Sequence, residues 1–345
     1  MEFGMGCQDN PANRLLSEQV EWCEPPPPAR LSVREEQARS ILSHNESPDI
    51  PFRWSVNPYR GCEHACAFCY ARRTHEYLDL GAGTDFETLI TVKVNAAELL
   101  AQALAKPRWK REKIQFSGVT DAYQPLEAKY GITRACLEVC RQRANPVCIV
   151  TKSPLVIRDL DILRELHRVA AAYVLFSIPF ADAKVARLLA PRVVPPNGQF
   201  AAMRRVAEAG LPVGVLISPV IPGLNDRDIP TLLARAAACG ATSASFGAVR
   251  LPGSVREVFL ARLRAGFPQA ADRVQQRILD LRGGVWNDPR FGWRMRAEGA
   301  YWLSVQRLFE TAATRHGLDC GQSWREEFHS PAPPPTPTER QLSLF

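Results

Sequence analysis

The stretch Gly61-Cys62-Glu63-His64-Ala65-Cys66-Ala67-Phe68-Cys69-Tyr70 holds three thiols at C-x3-C-x2-C spacing, three of the chain's ten cysteines within eight residues. A short loop of that kind can fold around one metal centre, each thiolate reaching it from the same side. Common iron–sulfur and zinc patterns supply four protein ligands, yet no fourth cysteine follows within the next sixty residues. A cubane cluster held by three thiolates leaves one iron without a protein ligand, open to another molecule. Zinc is the alternative, with His64 or His75 as fourth ligand. A disulfide fits poorly, because nothing in the chain points to an oxidising compartment.

Such a loop needs a scaffold to hold it. Trp54 to Tyr59 predicts a short strand entering the loop, and Tyr70 to Leu80 a helix leaving it. Apolar runs follow at Ile114–Val119, Val147–Thr151, Tyr173–Ile178, Val213–Ile217 and Ser243–Val249. Amphipathic stretches lie between them at Ala96–Ala105, Thr133–Arg143, Asp159–Val169, Asp182–Leu189, Phe200–Ala209 and Ile229–Cys239. Alternation of strand and helix argues for a parallel sheet with crossovers, and six strands fit a partial (β/α)6 TIM-like barrel. Active sites of such folds lie at the C-terminal strand ends, and polar residues stand there. Thr120-Asp121-Ala122-Tyr123-Gln124-Pro125 follows the second strand and Thr151-Lys152-Ser153 the third. Ser177 ends the fourth, and Ser218-Pro219 ends the fifth, leading into Val220-Ile221-Pro222-Gly223-Leu224-Asn225-Asp226.

C-x3-C-x-aromatic-C, with Phe68 in the aromatic slot, resembles the cluster loop of the radical S-adenosylmethionine (SAM) enzymes. Asn57-Pro58-Tyr59-Arg60-Gly61-Cys62, T-D-x-Y-Q-P, T-K-S and S-P-V-I-P-G-L-N-D narrow the resemblance to a bacterial branch of the spore photoproduct lyase-like group, over about residues 38 to 317. The resemblance implies an α/β partial barrel of the radical SAM type and a [4Fe-4S] cluster on Cys62, Cys66 and Cys69. It implies SAM as cosubstrate, cleaved to methionine and a 5′-deoxyadenosyl radical, with an electron donor such as flavodoxin or ferredoxin. By matching position, Lys152 and Ser153 would lie near the SAM carboxylate and ribose. Thr120, Asp121, Ser177 and Ser218 would line the same pocket, and Tyr70 would sit beside the cluster.

The chain also departs from the group. The lyase returns a hydrogen atom from an additional barrel cysteine, and Phe116–Gln124 has none. Cys136, Cys140 and Cys148 read as small buried hydrophobes; Tyr123 could supply hydrogen instead, with a packed strand-end tyrosine as the favoured reading. Ala190-Pro191-Arg192 carries alanine where the group has glutamate, so Arg192 receives no role.

The remaining sequence bounds location and partners. No apolar run approaches the length of a membrane span, and the polar, acidic N-terminus is unlike a leader peptide, so a cytoplasmic protein is expected. Residues 1–50 carry four Arg against nine Asp or Glu, a net −5, which leaves +12 on the rest of a +7 chain. A basic body points to a polyanion, DNA before RNA. Residues 1–50 read as an extended or partly ordered arm, with the Pro25–Pro28 run, free thiols at Cys7 and Cys23, and a short helix over Ser32–Leu42 capped by Ser32 and Glu35. The barrel occupies 51–255, and 256–329 is a helical, Arg- and aromatic-rich extension. There one helix is expected over Leu260–Leu281 and a last one over 297–316. Between them, residues 283–296 interleave arginines with three aromatics, either to hold phosphates and stack on bases or to cap the barrel bottom. Residues 330–345 form a Pro-rich linker ending in Gln341-Leu342-Ser343-Leu344-Phe345. That ending resembles the peptide by which bacterial polymerases and repair proteins dock on the β sliding clamp, with Gln341, Leu342, Leu344 and Phe345 as contacts. The expectation is a radical SAM enzyme acting on a DNA lesion or modified base. The alternatives are RNA or a small metabolite as substrate, or a zinc-stabilised, non-catalytic adaptor.

Overall fold

Runs of β-branched and small apolar residues between Trp54 and Ala248 form the parallel strands of a computed structural model, which describes residues 9–16 and 29–320. Cys7, Cys23, the four-proline run, the Pro-rich linker and the terminal pentapeptide lie outside the described residues. Ten strands are numbered in chain order: β1 Ser32–Glu36, β2 Leu42–His44, β3 Trp54–Val56, β4 Tyr59–Arg60, β5 Leu89–Lys93, β6 Ile114–Phe116, β7 Val147–Thr151, β8 Ala172–Ser177, β9 Val213–Val220 and β10 Ser243–Ala248. The main sheet has the order β10-β9-β8-β7-β6-β3-β2, and its six strands from β3 to β10 pair in parallel in sequence order. That is the expected partial (β/α)6 barrel, with β2 added antiparallel at one edge. Helices Ala96–Leu104, Ile132–Gln142, Leu160–Val169, Pro196–Glu208 and Ile229–Ala238 cover the outer face.

The period of two along each strand divides the side chains. Val147, Ile149, Val174, Phe176, Val215 and Ile217 belong to the core under the helices. The intervening residues face the barrel interior: Cys148, Val150 and Lys152 on β7 and just beyond it, Tyr173, Leu175 and Ser177 on β8, and Gly214, Leu216 and Ser218 on β9. Tyr173 and Ser243 share a hydroxyl–hydroxyl bond at the barrel floor. A Cβ on Gly214 would come within 2.5 Å of Ser243 Oγ and 2.6 Å of Tyr173 Oη, so only glycine permits that approach.

Three expectations need correction. Ser32–Leu42 is not a helix. Eleven residues are marginal for an isolated helix, and a partner strand outweighs the local cap: β1 pairs in parallel with β5, which pairs antiparallel with β4. Val33 packs with Tyr59, Ile90 and Val92, while Glu35 accepts from Tyr130 instead of closing a capping box. After the cysteines, the helix stops at Glu76, short of Leu80, and the chain turns at Asp79 with φ +59°. Leu260–Leu281 divides into Val255–Gly266 and Ala271–Asp280, because Pro268 lacks a donor and pushes the residue before it out of helical geometry. The last helix, Ala300–Arg315, lies over β10, its Phe309 stacked on Phe246 at 4.2 Å. Beyond it, Asp319 bonds Ala244 and Thr242 along the β10 edge. No helix among the described residues is long and apolar enough to cross a membrane.

Candidate active site

The cysteine loop is fastened to its surroundings at every turn. Cys62 N–H donates to Phe86 O at 2.9 Å and Ala67 N–H to Leu189 O at 2.8 Å. Gly61 has φ +78°, and a Cβ there would sit 2.7 Å from Ile90, so the loop enters through a position that only glycine fills well. Arg72, wholly buried, donates to Cys66 O at 2.8 Å, to Ala82 O and Gly83 O at 2.9 and 3.0 Å, and pairs with Glu87. Gln124, from the T-D-x-Y-Q-P segment, holds the loop from the other side. Its Oε1 accepts Glu63 N–H at 3.1 Å and its Nε2 donates to Gly61 O at 3.2 Å. Phe68 wedges the loop onto the far strand ends, edge-on to Phe180 at 5.8 Å.

The predicted polar residues meet as one hydrogen-bonded chain across neighbouring strand ends. Asp121, after β6, accepts Thr151 Oγ1–H and Lys152 N–H, each at 2.8 Å, and Tyr123 N–H at 2.9 Å. Its other neighbour is His64 of the cysteine loop, 3.3 Å away. Burial alone would raise the Asp121 carboxyl, but His64 and these donors outweigh it and hold it below the ordinary carboxylate value. Lys152 Nζ donates to Ser177 Oγ at 2.7 Å, and Ser177 Oγ donates to Ser218 O at 3.2 Å. The Lys152 ammonium lies close enough to Cys66 and Cys69 for its charge to act on both. Thr120 and Ser153 are buried with hydroxyls engaged by main chain, Thr120 to Tyr59 O and Ser153 with Leu155 N–H. Tyr70 is 52% exposed at the rim and donates to Gly118 O at 2.6 Å.

Sequence reasoning missed the residues that act on backbone. Gln124 and Arg72 grip the loop, and Gln199 ties Lys152 O and Ser177 O together at 2.8 and 3.3 Å. Arg192, left without a role, stands 3.9 Å from Glu63. The other groups are packed into the interior. Tyr123 is fully buried and donates to Asp159 at 3.1 Å. Cys136, Cys140 and Cys148 are also fully buried, and burial pushes their thiols up, Cys148 to about 12.

The donor set suits an iron–sulfur cluster better than a single zinc ion. Among the described residues no three His, Cys, Asp or Glu side chains close on one ion position, whereas thiolates on a cubane each reach a different iron. His75 Nε2 is 3.1 Å from Leu89 O and His64 Nδ1 stands 3.3 Å from Asp121, but the Nδ1 atoms of both rings are buried without a hydrogen-bond partner among the described residues. Burial pushes the Cys66 and Cys69 thiols up. Cationic iron would favour their thiolates, which carry the ligation.

A parallel (β/α)6 sheet with a three-thiol loop at its C-terminal rim defines a cluster-dependent barrel enzyme. Residues 56–236 match the family model of the radical SAM superfamily. An uncharacterised protein of Mycobacterium tuberculosis is 33% identical over 290 residues, covering 80% of this chain and 84% of that one. Another, from Methanocaldococcus jannaschii, is 29% identical over 198 residues, 57% of this chain and 71% of its own. Spore photoproduct lyase complexed with dinucleoside spore photoproduct superposes with a TM-score of 0.62 at 17% identity, over 84% of this chain and 81% of that one. A mutant of the lyase with bound AdoMet and the same dinucleoside gives 0.61 at 18%. At such identities the lyase likeness concerns the fold. The chain belongs to the radical SAM superfamily, which implies a [4Fe-4S] cluster and SAM. Cys62, Cys66 and Cys69 would hold the cluster, whose electron releases the 5′-deoxyadenosyl radical from SAM.

Proposed function

We propose that this radical SAM enzyme acts on DNA, at a lesion or modified base, and is brought to it by docking its terminal pentapeptide on the sliding clamp. The observation that carries the reading is the arginine array at the barrel mouth. Arg282 bonds Val249 O at the end of β10, Arg250 and Arg294 are near enough to act on the Tyr70 hydroxyl, and Arg73 lies beside Gly253. A mouth so charged suits a phosphate backbone. The basic body and the lyase neighbour with its bound dinucleoside support the same reading.

Within the pocket, Lys152 supplies an ammonium for the SAM carboxylate, and Ser177 and Ser218 supply hydroxyls to its polar groups. Asp121 positions Lys152 through its backbone. Thr120 and Ser153 shape the wall, and Tyr70 stands at the rim. The return of hydrogen proceeds without a barrel cysteine near the rim: Cys148 lies four residues below Lys152, roughly 13 Å down the strand.

The test is anaerobic reconstitution with iron and sulfide, then dithionite, SAM and damaged DNA, scoring 5′-deoxyadenosine. DNA-dependent formation, lost in Cys62, Cys66 or Cys69 variants, is expected. Stimulation by RNA or small metabolites but not by any DNA would overturn the substrate. Deleting Gln341–Phe345 should remove clamp binding and spare SAM cleavage; unchanged clamp affinity would remove the docking arm of the proposal.

A further inference from the structure

The loop joining Ala271–Asp280 to Ala300–Arg315 displays apolar side chains that soluble chains usually hide. Phe291, Trp293 and Met295 are 62, 46 and 44% exposed, whereas Gly292 and Arg294 between them are half-buried. The alternation has a mechanical cause. Asp49, its side chain 3% exposed, accepts Gly292 N–H at 2.7 Å and Arg294 Nε–H at 2.6 Å. Arg294 also reaches Ser47 Oγ. With both inward positions fastened to one carboxylate, the rings beside them are turned outward and kept there. Trp286, the third aromatic, packs instead against the core that includes Cys66 and Phe68, so two rings are on display.

Cations frame those rings. Arg290 and Arg296 lie 5.2 and 4.6 Å from the Trp293 centroid, and Arg294 4.5 Å from that of Phe291. Residues 282–296 contain four Arg and one Asp. Arg282 ties the loop to β10 through Val249 O, while Asp49 ties it to the β2–β3 connection. The loop thus bridges the two edges of the open sheet, from the C-terminal end of β10 to the connection that enters β3.

Resting on the DNA reading above, we propose that Phe291 and Trp293 form a stacking platform for unpaired DNA bases, that Arg296 takes a flanking phosphate while Arg290 is held by Asp288, and that Asp49 positions the platform. Exposed rings framed by guanidinium groups suit a nucleobase π-face, and a polyanion suits the charge. Paired bases hide those faces, so the platform selects a strand opened around a lesion rather than intact duplex.

The test is anisotropy of a fluorescent oligo-dT on the full-length protein across a salt series. Wild type should bind single strands more tightly than duplex or RNA. Phe291→Ala and Trp293→Ala should each weaken binding about tenfold, with Trp293→Phe recovering most of it. Arg296→Gln should reduce the log–log salt slope by about 0.7. Asp49→Ala should weaken binding although it removes no contacting group, and Asp49→Asn, which keeps an acceptor, should recover part. Variants that bind like wild type, or tighter binding to duplex or RNA, overturn the platform alone. Wild type without DNA affinity overturns the platform and the DNA reading together.

Discussion

Gln124→Met would test whether the cysteine loop is held by side chains from the neighbouring strand end. The substitution keeps roughly the same volume and removes both polar atoms, leaving Glu63 N–H and Gly61 O without partners. Gln124 is fully buried and Glu63 nearly so, so water cannot readily replace the lost bonds. Each stranded group costs about 1–3 kcal/mol. Some relaxation of a ten-residue loop lowers the sum, and a net cost of about 3 kcal/mol is reasonable. At about 1.4 kcal/mol per factor of ten, local opening should become on the order of a hundredfold more frequent. Hydrogen exchange read by mass spectrometry over residues 60–70 measures this directly, and iron content after reconstitution should fall in parallel. The global melting temperature should move less, because the core under the helices is untouched. Exchange within threefold of wild type, with full iron content, would refute the reasoning.

Four other outcomes rest on the same contacts. Under the proposed three-thiol ligation, Cys66→Ala should abolish iron binding and SAM cleavage; retained cluster absorbance would count against it. Arg72→Met should cost about 3–5 kcal/mol in chemical denaturation, because Glu87 and three carbonyls lose a buried cation, and replacing Glu87 as well should recover part. Tyr123→Phe should cost about 1 kcal/mol, the bond to Asp159, and leave the reaction product unchanged; an altered product would restore this tyrosine as a hydrogen donor. For pH, burial works to raise the Asp49 carboxyl, but Gly292 N–H and Arg294 prevail and hold it below its free value of 3.8. A depressed carboxylate stabilises above its free value and ceases to as pH falls through the folded one. The 291–295 segment should therefore keep its exchange protection from pH 8 to 5 and loosen only below about 4. Loosening near pH 6 would assign its anchorage to another group.

The barrel was legible because its signal is periodic and repeated. β7 has the predicted bounds, and six strand–helix alternations constrain one another. The polar strand ends were legible for the same reason, since locating each strand also locates the residues at its C-terminal end. The second sheet escaped. β1 reads as a capped helix until β5, more than fifty residues away, offers it a partner, and no local rule sees that far. The site residues divide along the same line. Cysteines and the Lys152–Ser177 pair announce themselves by type and position. Gln124, Arg72 and Gln199 act on backbone carbonyls and amides, which carry no residue-specific mark in a sequence. The arginine–aromatic loop was readable as a composition, but its attachment across the sheet edges depends on Asp49, some 240 residues earlier.

Asp319 pins the chain to the N-terminal half of β10, the end away from the cysteine rim. Twenty residues separate Cys320 from Gln341, and fully extended they span about 70 Å. Under the proposed clamp docking, the connection to the clamp would start on the face opposite the cysteine rim and leave that rim unobstructed. That span corresponds to roughly twenty base pairs at 3.4 Å each. Under that proposal a loose grip on undamaged DNA would be an advantage, since docking would hold the enzyme nearby and a weak hold would let it move along until an opened strand detains it.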